Sequence, residues 1–185
     1  TETMIMIRPV HLTLLLSACL LLAGCATSLP KSHQRPVSTA FADPETTELG
    51  VFFASEMDAH PGKSGIVPVT PGEWGFRSRT GLANQAEQTI DVQYYIWETD
   101  TAGSILAERI LRAADRGVRV RMLLDHVTTK DTDFKFARMD HHPNIEIRLF
   151  NPFSNRSFHG LEFLFSLKRL NHRMHNKAFI VDNAI

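Results

Sequence analysis

Residues 90–125 read as strand, helix and strand joined by short turns, and that pattern leaves few folds open. Ile90, Val92, Tyr94 and Ile96 alternate with Asp91, Gln93, Tyr95 and Trp97, which predicts a strand over 90–97. Asp100 or Thr101 can cap the helix that follows. Its apolar stripe is Ile105, Leu106, Ile110, Leu111, Ala113 and Ala114, and Gly117 ends it. Val118 to Asp125 is a second strand, and the short return through a helix makes the two parallel. Ile145 to Phe150 predicts a third strand and Met174 to Val181 a fourth, with a short helix at 161–170 between them. Upstream, 76–89 reads as a weak helix, and 50–74 mixes a short apolar helix with turn-rich chain. The expected class is α/β, with a mixed, largely parallel sheet flanked by helices. Such folds often carry active groups at the carboxyl ends of strands. Asp125, His126 and Asn151 fall there, though each also reads as an ordinary strand-end turn or cap.

The fourth strand carries the chemistry. In "RMHNKAFIVDNAI", His175 and Lys177 are two residues apart, so strand alternation points them the same way. A neutral imidazole can attack phosphorus, and an ammonium beside it can hold phosphate oxygens as charge develops. Arg173 shares that face and, with Asn176, is a candidate for substrate binding. Asp182 lies an odd number of residues from His175, so Asp182-Asn183 reads as a turn just past the strand.

The charge distribution suits an anionic substrate. Net charge is zero, yet residues 101–185 hold 14 Lys and Arg against 9 Asp and Glu, while residues 25–100 hold 5 against 10. For most of these basic residues, decoration of a helix surface is the simpler reading. Other chemistries find little support. Both cysteines, Cys19 and Cys25, precede the globular part, and no His-Glu-x-x-His pattern occurs. His141-His142 and His172-x-x-His175 therefore make a poor zinc site, and His141-His142-Pro143 reads as a turn. No glycine-rich nucleotide loop or Gly-x-Ser-x-Gly elbow is present. Phe153, Phe158, Phe163 and Phe165 precede the motif and are candidates for acyl-chain contact; Phe150 reads as core.

The amino-terminal part reads as a leader, residues 1–24, with Met4 or Met6 as the start and Arg8 as the positive region. The apolar run Leu12 to Leu22 is shorter than the roughly 20 residues a bilayer span needs. Leu22-Ala23-Gly24-Cys25 resembles a bacterial lipobox, which implies lipidation of Cys25 and a place in the cell envelope. Ala26 is not the aspartate of an inner-membrane retention signal, so the outer membrane is favoured in a host with two. Residues 25–49, rich in Ser, Thr and Pro, read as a tether, and 50–185 as the globular part.

The spacing of His175, Lys177 and Asp182 resembles the HxKxxxxD signature of the phospholipase D superfamily. "IDVQYYIWETD" (90–100), "LAERILRAADRGVRVRMLLDH" (106–126), "IEIRLFNPF" (145–153) and "LNHRMHNKAFIVDN" (170–183) are similar, in order and spacing, to consecutive elements of its bacterial cardiolipin synthase branch. The resemblance covers about residues 60–185. It implies that His175 is the nucleophile, that Lys177 binds phosphate and that Asp182 supports the site. It further implies phosphatidyl transfer between phospholipids of the phosphatidylglycerol type, through a phosphohistidine, with no metal or cofactor and no nucleic-acid partner. Two features depart from the family. Family enzymes carry two such motifs, and this chain carries one, without an internal repeat. The expectation is thus the first half of a longer protein, its site completed by a missing second half or by a homodimer. His126 also stands where family members often have a second acidic residue. Two other readings stay open: a dimeric single-motif phosphodiesterase or nuclease, and a non-catalytic fragment or membrane-tethered binding module.

Overall fold

The computed structural model describes residues 37–129, 132–153 and 167–185. Cys25, the leader, most of the tether and residues 154–166, with Phe158, Phe163 and Phe165, lie outside them. The elements run α1 (Glu48–Ala59), α2 (Gly72–Gln85), β1 (Thr89–Tyr94), α3 (Thr101–Asp115), β2 (Arg119–Asp125), α4 (His126–Thr129), α5 (Asp133–Asp140), β3 (Ile145–Phe150) and β4 (Lys177–Val181). A helical turn occupies residues 167–170. Strand order is β3-β2-β1-β4. β2 pairs in parallel with β1 and β3, and β4 runs antiparallel to β1. The mixed, largely parallel sheet read from the sequence is the one observed.

Register places the apolar alternation of every strand on one face. Ile90, Val120, Ile145 and Val181 form one row across the sheet, and Val92, Met122, Ile147 and Phe179 the next. Most of these residues are buried, and they form one core with Leu106, Ile110, Ala113 and Ala114 of α3. α3 begins where expected: the Asp100 side chain accepts from the Gly103 N–H at 2.8 Å. It ends at Gly117, whose φ of 103° a side chain would resist. Arg116 ties α3 to α2, because its guanidinium donates to the carbonyls of Ala83, Asn84 and Ala86 at the carboxyl end of α2. The other sheet face is polar and half-buried, with Arg121 forked onto Asp91. Arg121 and Arg119 also hold the carbonyls of Ser38 and Thr39. Residues 37–49, the last part of the stretch read as a tether, thus lie against the domain, with Thr47 and Leu49 buried.

Several boundaries differ from the sequence reading. β1 stops at Tyr94 and not at Trp97. Ile96 is exposed, while Trp97 turns into the core and packs edge-on against Tyr94 and Phe136. Burial of the indole outweighs continued pairing. β4 starts at Lys177 and not at Met174, α2 starts at Gly72 and not at 76, and Leu111 lies on the outer side of α3. α5 was not anticipated, because its polar sequence buries only Phe136.

Candidate active site

The carboxyl ends of β1 and β2 carry a set of side chains that hold residues 173–176 in place. Asp125, the last residue of β2, is fully buried and accepts three hydrogen bonds. They come from Val127 N–H at 3.0 Å, Met174 N–H at 3.1 Å and Arg173 Nη1 at 2.8 Å. The pair with Arg173 is buried, with side-chain exposures of 10% and 0%. Such a pair is a poor source of stability, but a rigid one, since loss of either partner strands the other charge. Arg173 thus turns inward to hold the chain, and its Nη2 is buried without a partner among the described residues. Asn176, also read as substrate-binding, is exposed and donates to Gln93 Oε1 at 3.0 Å.

Between them stands His175, exposed, with its imidazole stacked on Tyr95 at 4.2 Å between ring centres and 23° between planes. Tyr95 is itself fixed, because the Thr128 hydroxyl donates to its carbonyl. Residues 174–176 are not part of the ladder, so alternation along a continuous strand does not orient His175 toward Lys177. The Tyr95 ring and the Asp125 carboxylate on Met174 N–H fix His175 instead. Lys177 opens β4 opposite Tyr94, is exposed, and its Nζ lies 3.4 Å from the His175 carbonyl. The ammonium and the imidazole thus belong to one exposed segment, two residues apart. A phosphate there would meet a nitrogen nucleophile and a cation together.

Asp182 lies elsewhere. It follows β4, and Val181 pairs with Ile90, so it sits beside the start of β1, at the opposite end of the strands from Lys177. Its buried carboxylate accepts from the main-chain N–H groups of Glu87, Gln88 and Thr89 at 3.0, 2.8 and 2.8 Å. The turn expected there is present, with φ of 53° at both Asp182 and Asn183. Any support Asp182 gives the site passes through the seating of β4 on β1.

His126 is fully buried. Its Nδ1 accepts from Phe153 N–H at 3.0 Å, which leaves the proton of a neutral ring on Nε2, facing Asp133 Oδ2 at 3.5 Å. Asn151, at φ 46°, donates to the carbonyls of Arg169 and His172 and accepts from Arg169 Nη1. Asp125, His126 and Asn151 thus hold the chain on both sides of residues 154–166. Sequence reasoning placed all three at strand ends but favoured a cap for each, and it missed Tyr95 altogether. Each has a partner 18 to 80 residues away, which no local pattern encodes. His172 is exposed, and among the described residues no three metal-ligating side chains gather.

A family model described as "Cardiolipin synthase, PLD-like domain" matches residues 81–185. Cardiolipin synthase C of Escherichia coli is 48% identical over 126 residues, which are 68% of this chain and 27% of that protein. An uncharacterized protein of Helicobacter pylori is 36% identical over 156 residues, 82% of this chain and 31% of its own length. The chain thus spans about a third or less of the length of these curated relatives. Among solved structures, NucT from Helicobacter pylori aligns at a TM-score of 0.39 and 16% identity, over 58% of this chain and 59% of that one.

Proposed function

This chain belongs to the cardiolipin synthase, PLD-like domain family, and we propose from that premise that it supplies one catalytic half of a lipid-anchored phosphatidyltransferase. The observation that carries the reading is His175, exposed on a pinned segment, stacked on Tyr95 and two residues from Lys177. An imidazole nitrogen of His175 attacks the phosphorus of a phosphatidylglycerol-type donor, and a P–N bond forms. The P–O bond to the head-group alcohol breaks, and that alcohol takes a proton from an acid, the histidine of a second half-site. The acceptor hydroxyl then loses its proton to the same base and attacks phosphorus, and the P–N bond breaks. Two displacements retain configuration. Lys177 holds the non-bridging oxygens throughout. The second half comes from further chain or from another copy. Cys25, lipidated, keeps the domain at the cell envelope, on the outer membrane of a host with two.

The test is trapping in the full-length protein. Label from a phosphate-labelled donor lipid, acid-labile and base-stable, is expected on the peptide carrying His175, and His175→Asn removes it. Label on His172, or full turnover in His175→Ala, refutes the assignment. For the anchor, Cys25→Ala abolishes acyl labelling in a bacterial host; persistent labelling rules it out.

A further inference from the structure

Beside the candidate active site, α2, the end of β1 and the start of α3 enclose a cavity of about 140 Å³. Phe76, Arg79, Tyr94, Trp97, Glu98 and Asp100 line it. Three observations connect this cavity with the site. Tyr94 and Lys177 are register partners on antiparallel strands, and such pairs put their Cβ atoms about 5 Å apart on the same sheet face. The next residue, Tyr95, carries the ring stacked on His175. Arg79 lies half-buried beside the Tyr94 hydroxyl, and among the described residues no carboxylate forms an ion pair with it.

Glu98 and Asp100 line the same cavity, but among the described residues neither is paired with Arg79, so the half-buried guanidinium has lost part of its hydration without a close anion in return. Arginine placed this way suits phosphate, which it can grip through two parallel hydrogen bonds. Tyr94 adds a hydroxyl donor; burial pushes its pKa up, against the opposing pull of Arg79. The remaining walls are apolar, from Phe76, Ile96, Trp97, Ala102 and Leu106, and the carboxylates of Glu98 and Asp100, the second already accepting from Gly103 N–H, are the acceptors left for hydroxyl groups. The volume is below the roughly 300–1,000 Å³ of ordinary ligand pockets, so it fits a head group and no acyl chain.

We propose that this cavity binds a phosphorylated polyol, the phosphate-and-glycerol head group of the acceptor lipid, and so determines which alcohol is used. The assignment rests on the transferase reading above. The donor phosphate occupies His175 and Lys177. An acceptor of the same lipid class brings a second phosphate, which must be held near by but apart. Arg79 holds that phosphate while the free hydroxyl reaches the phosphohistidine, and the atoms balance as in the second displacement already described.

The experiment uses the full-length protein and its Arg79→Ala and Arg79→Lys variants. With phosphatidylglycerol vesicles, loss of one charge-assisted contact raises the acceptor KM about 10- to 100-fold in Arg79→Ala. Arg79→Lys recovers part of it. The loss is confined to the acceptor half-reaction: it exceeds any fall in donor label trapped on His175. An equal fall in trapping and transfer would assign Arg79 to the donor phosphate and overturn the proposal, as would an unchanged KM. Calorimetry with glycerol 3-phosphate, inorganic phosphate and glycerol reads binding without turnover. Saturable binding of glycerol 3-phosphate that Arg79→Ala weakens, and that exceeds binding of the other two, supports the assignment. Equal binding of inorganic phosphate makes this a plain anion site and overturns it. If no label forms on His175 yet glycerol 3-phosphate binds through Arg79, the transferase reading fails and the cavity stands. If label forms and glycerol 3-phosphate does not bind, the cavity assignment alone fails.

Discussion

Replacing Asp182 separates a structural from a chemical role for the aspartate of the motif. Its carboxylate is fully buried and accepts three main-chain N–H groups. The amides of Glu87 and Gln88 are part-buried and regain water when the carboxylate is removed, while that of Thr89 is buried. At about 1 kcal/mol for each of the first two and about 2 kcal/mol for the third, Asp182→Ala loses about 4 kcal/mol. A further increment of about 1 kcal/mol comes from placing alanine at φ 53°, a conformation aspartate and asparagine tolerate better. Domains are stable by about 5–15 kcal/mol in all, so the variant is expected to melt many degrees lower. Asp182→Asn keeps one oxygen for Gln88 and Thr89, which both bond Oδ1, and is expected to fall between the two. The assay is thermal melting of the full-length protein by circular dichroism, with amide hydrogen exchange over residues 87–89. Those amides should exchange fastest in Asp182→Ala. β4 rises by about 3.3 Å per residue, so Asp182 stands about 16 Å from Lys177. A variant that melts like the parent, keeps its amides protected and yet loses turnover would refute the structural role.

Three other outcomes rest on the same geometry. Asp125→Ala is expected to destabilise the protein by about 3–5 kcal/mol, because it strands the buried Arg173 charge; urea titration of Asp125→Ala, Arg173→Met and the double variant checks it, with the double variant recovering part of the loss. Tyr95→Ala should lower the rate of His175 phosphorylation with little change in melting, and Tyr95→Phe should retain that rate, since a stacked ring needs no hydroxyl; rapid-quench labelling distinguishes them. Lys177→Ala is expected to reduce turnover about 10²–10³-fold at unchanged stability, since Lys177 is exposed and among the described residues bonds one carbonyl; steady-state kinetics at saturating lipid measures it.

Local sequence determined the elements. The alternation of Ile90, Val92 and Tyr94, the stripe of α3, the Asp100 cap and Gly117 are short-range signals, each dictated by the geometry of one strand or one helix. The parallel pairing of β1 and β2 followed because so short a return through a helix allows little else. The spacing of His175, Lys177 and Asp182 pointed to the family to which the chain belongs, and Asp182-Asn183 was legible as a turn. Tertiary structure decided how those residues are used. Strand alternation could not orient His175, because the ladder starts only at Lys177, and Tyr95 and Asp125 hold the segment instead. The same buried carboxylate turned Arg173 from a surface candidate into an internal brace. That Arg79 shares a cavity with Tyr94, Glu98 and Asp100 became visible only with α2, the end of β1 and the start of α3 in place. Periodicity reports which way a side chain faces along its own element. It says nothing about a partner tens of residues away, such as Asp125 for Arg173 and Met174 or Gln93 for Asn176.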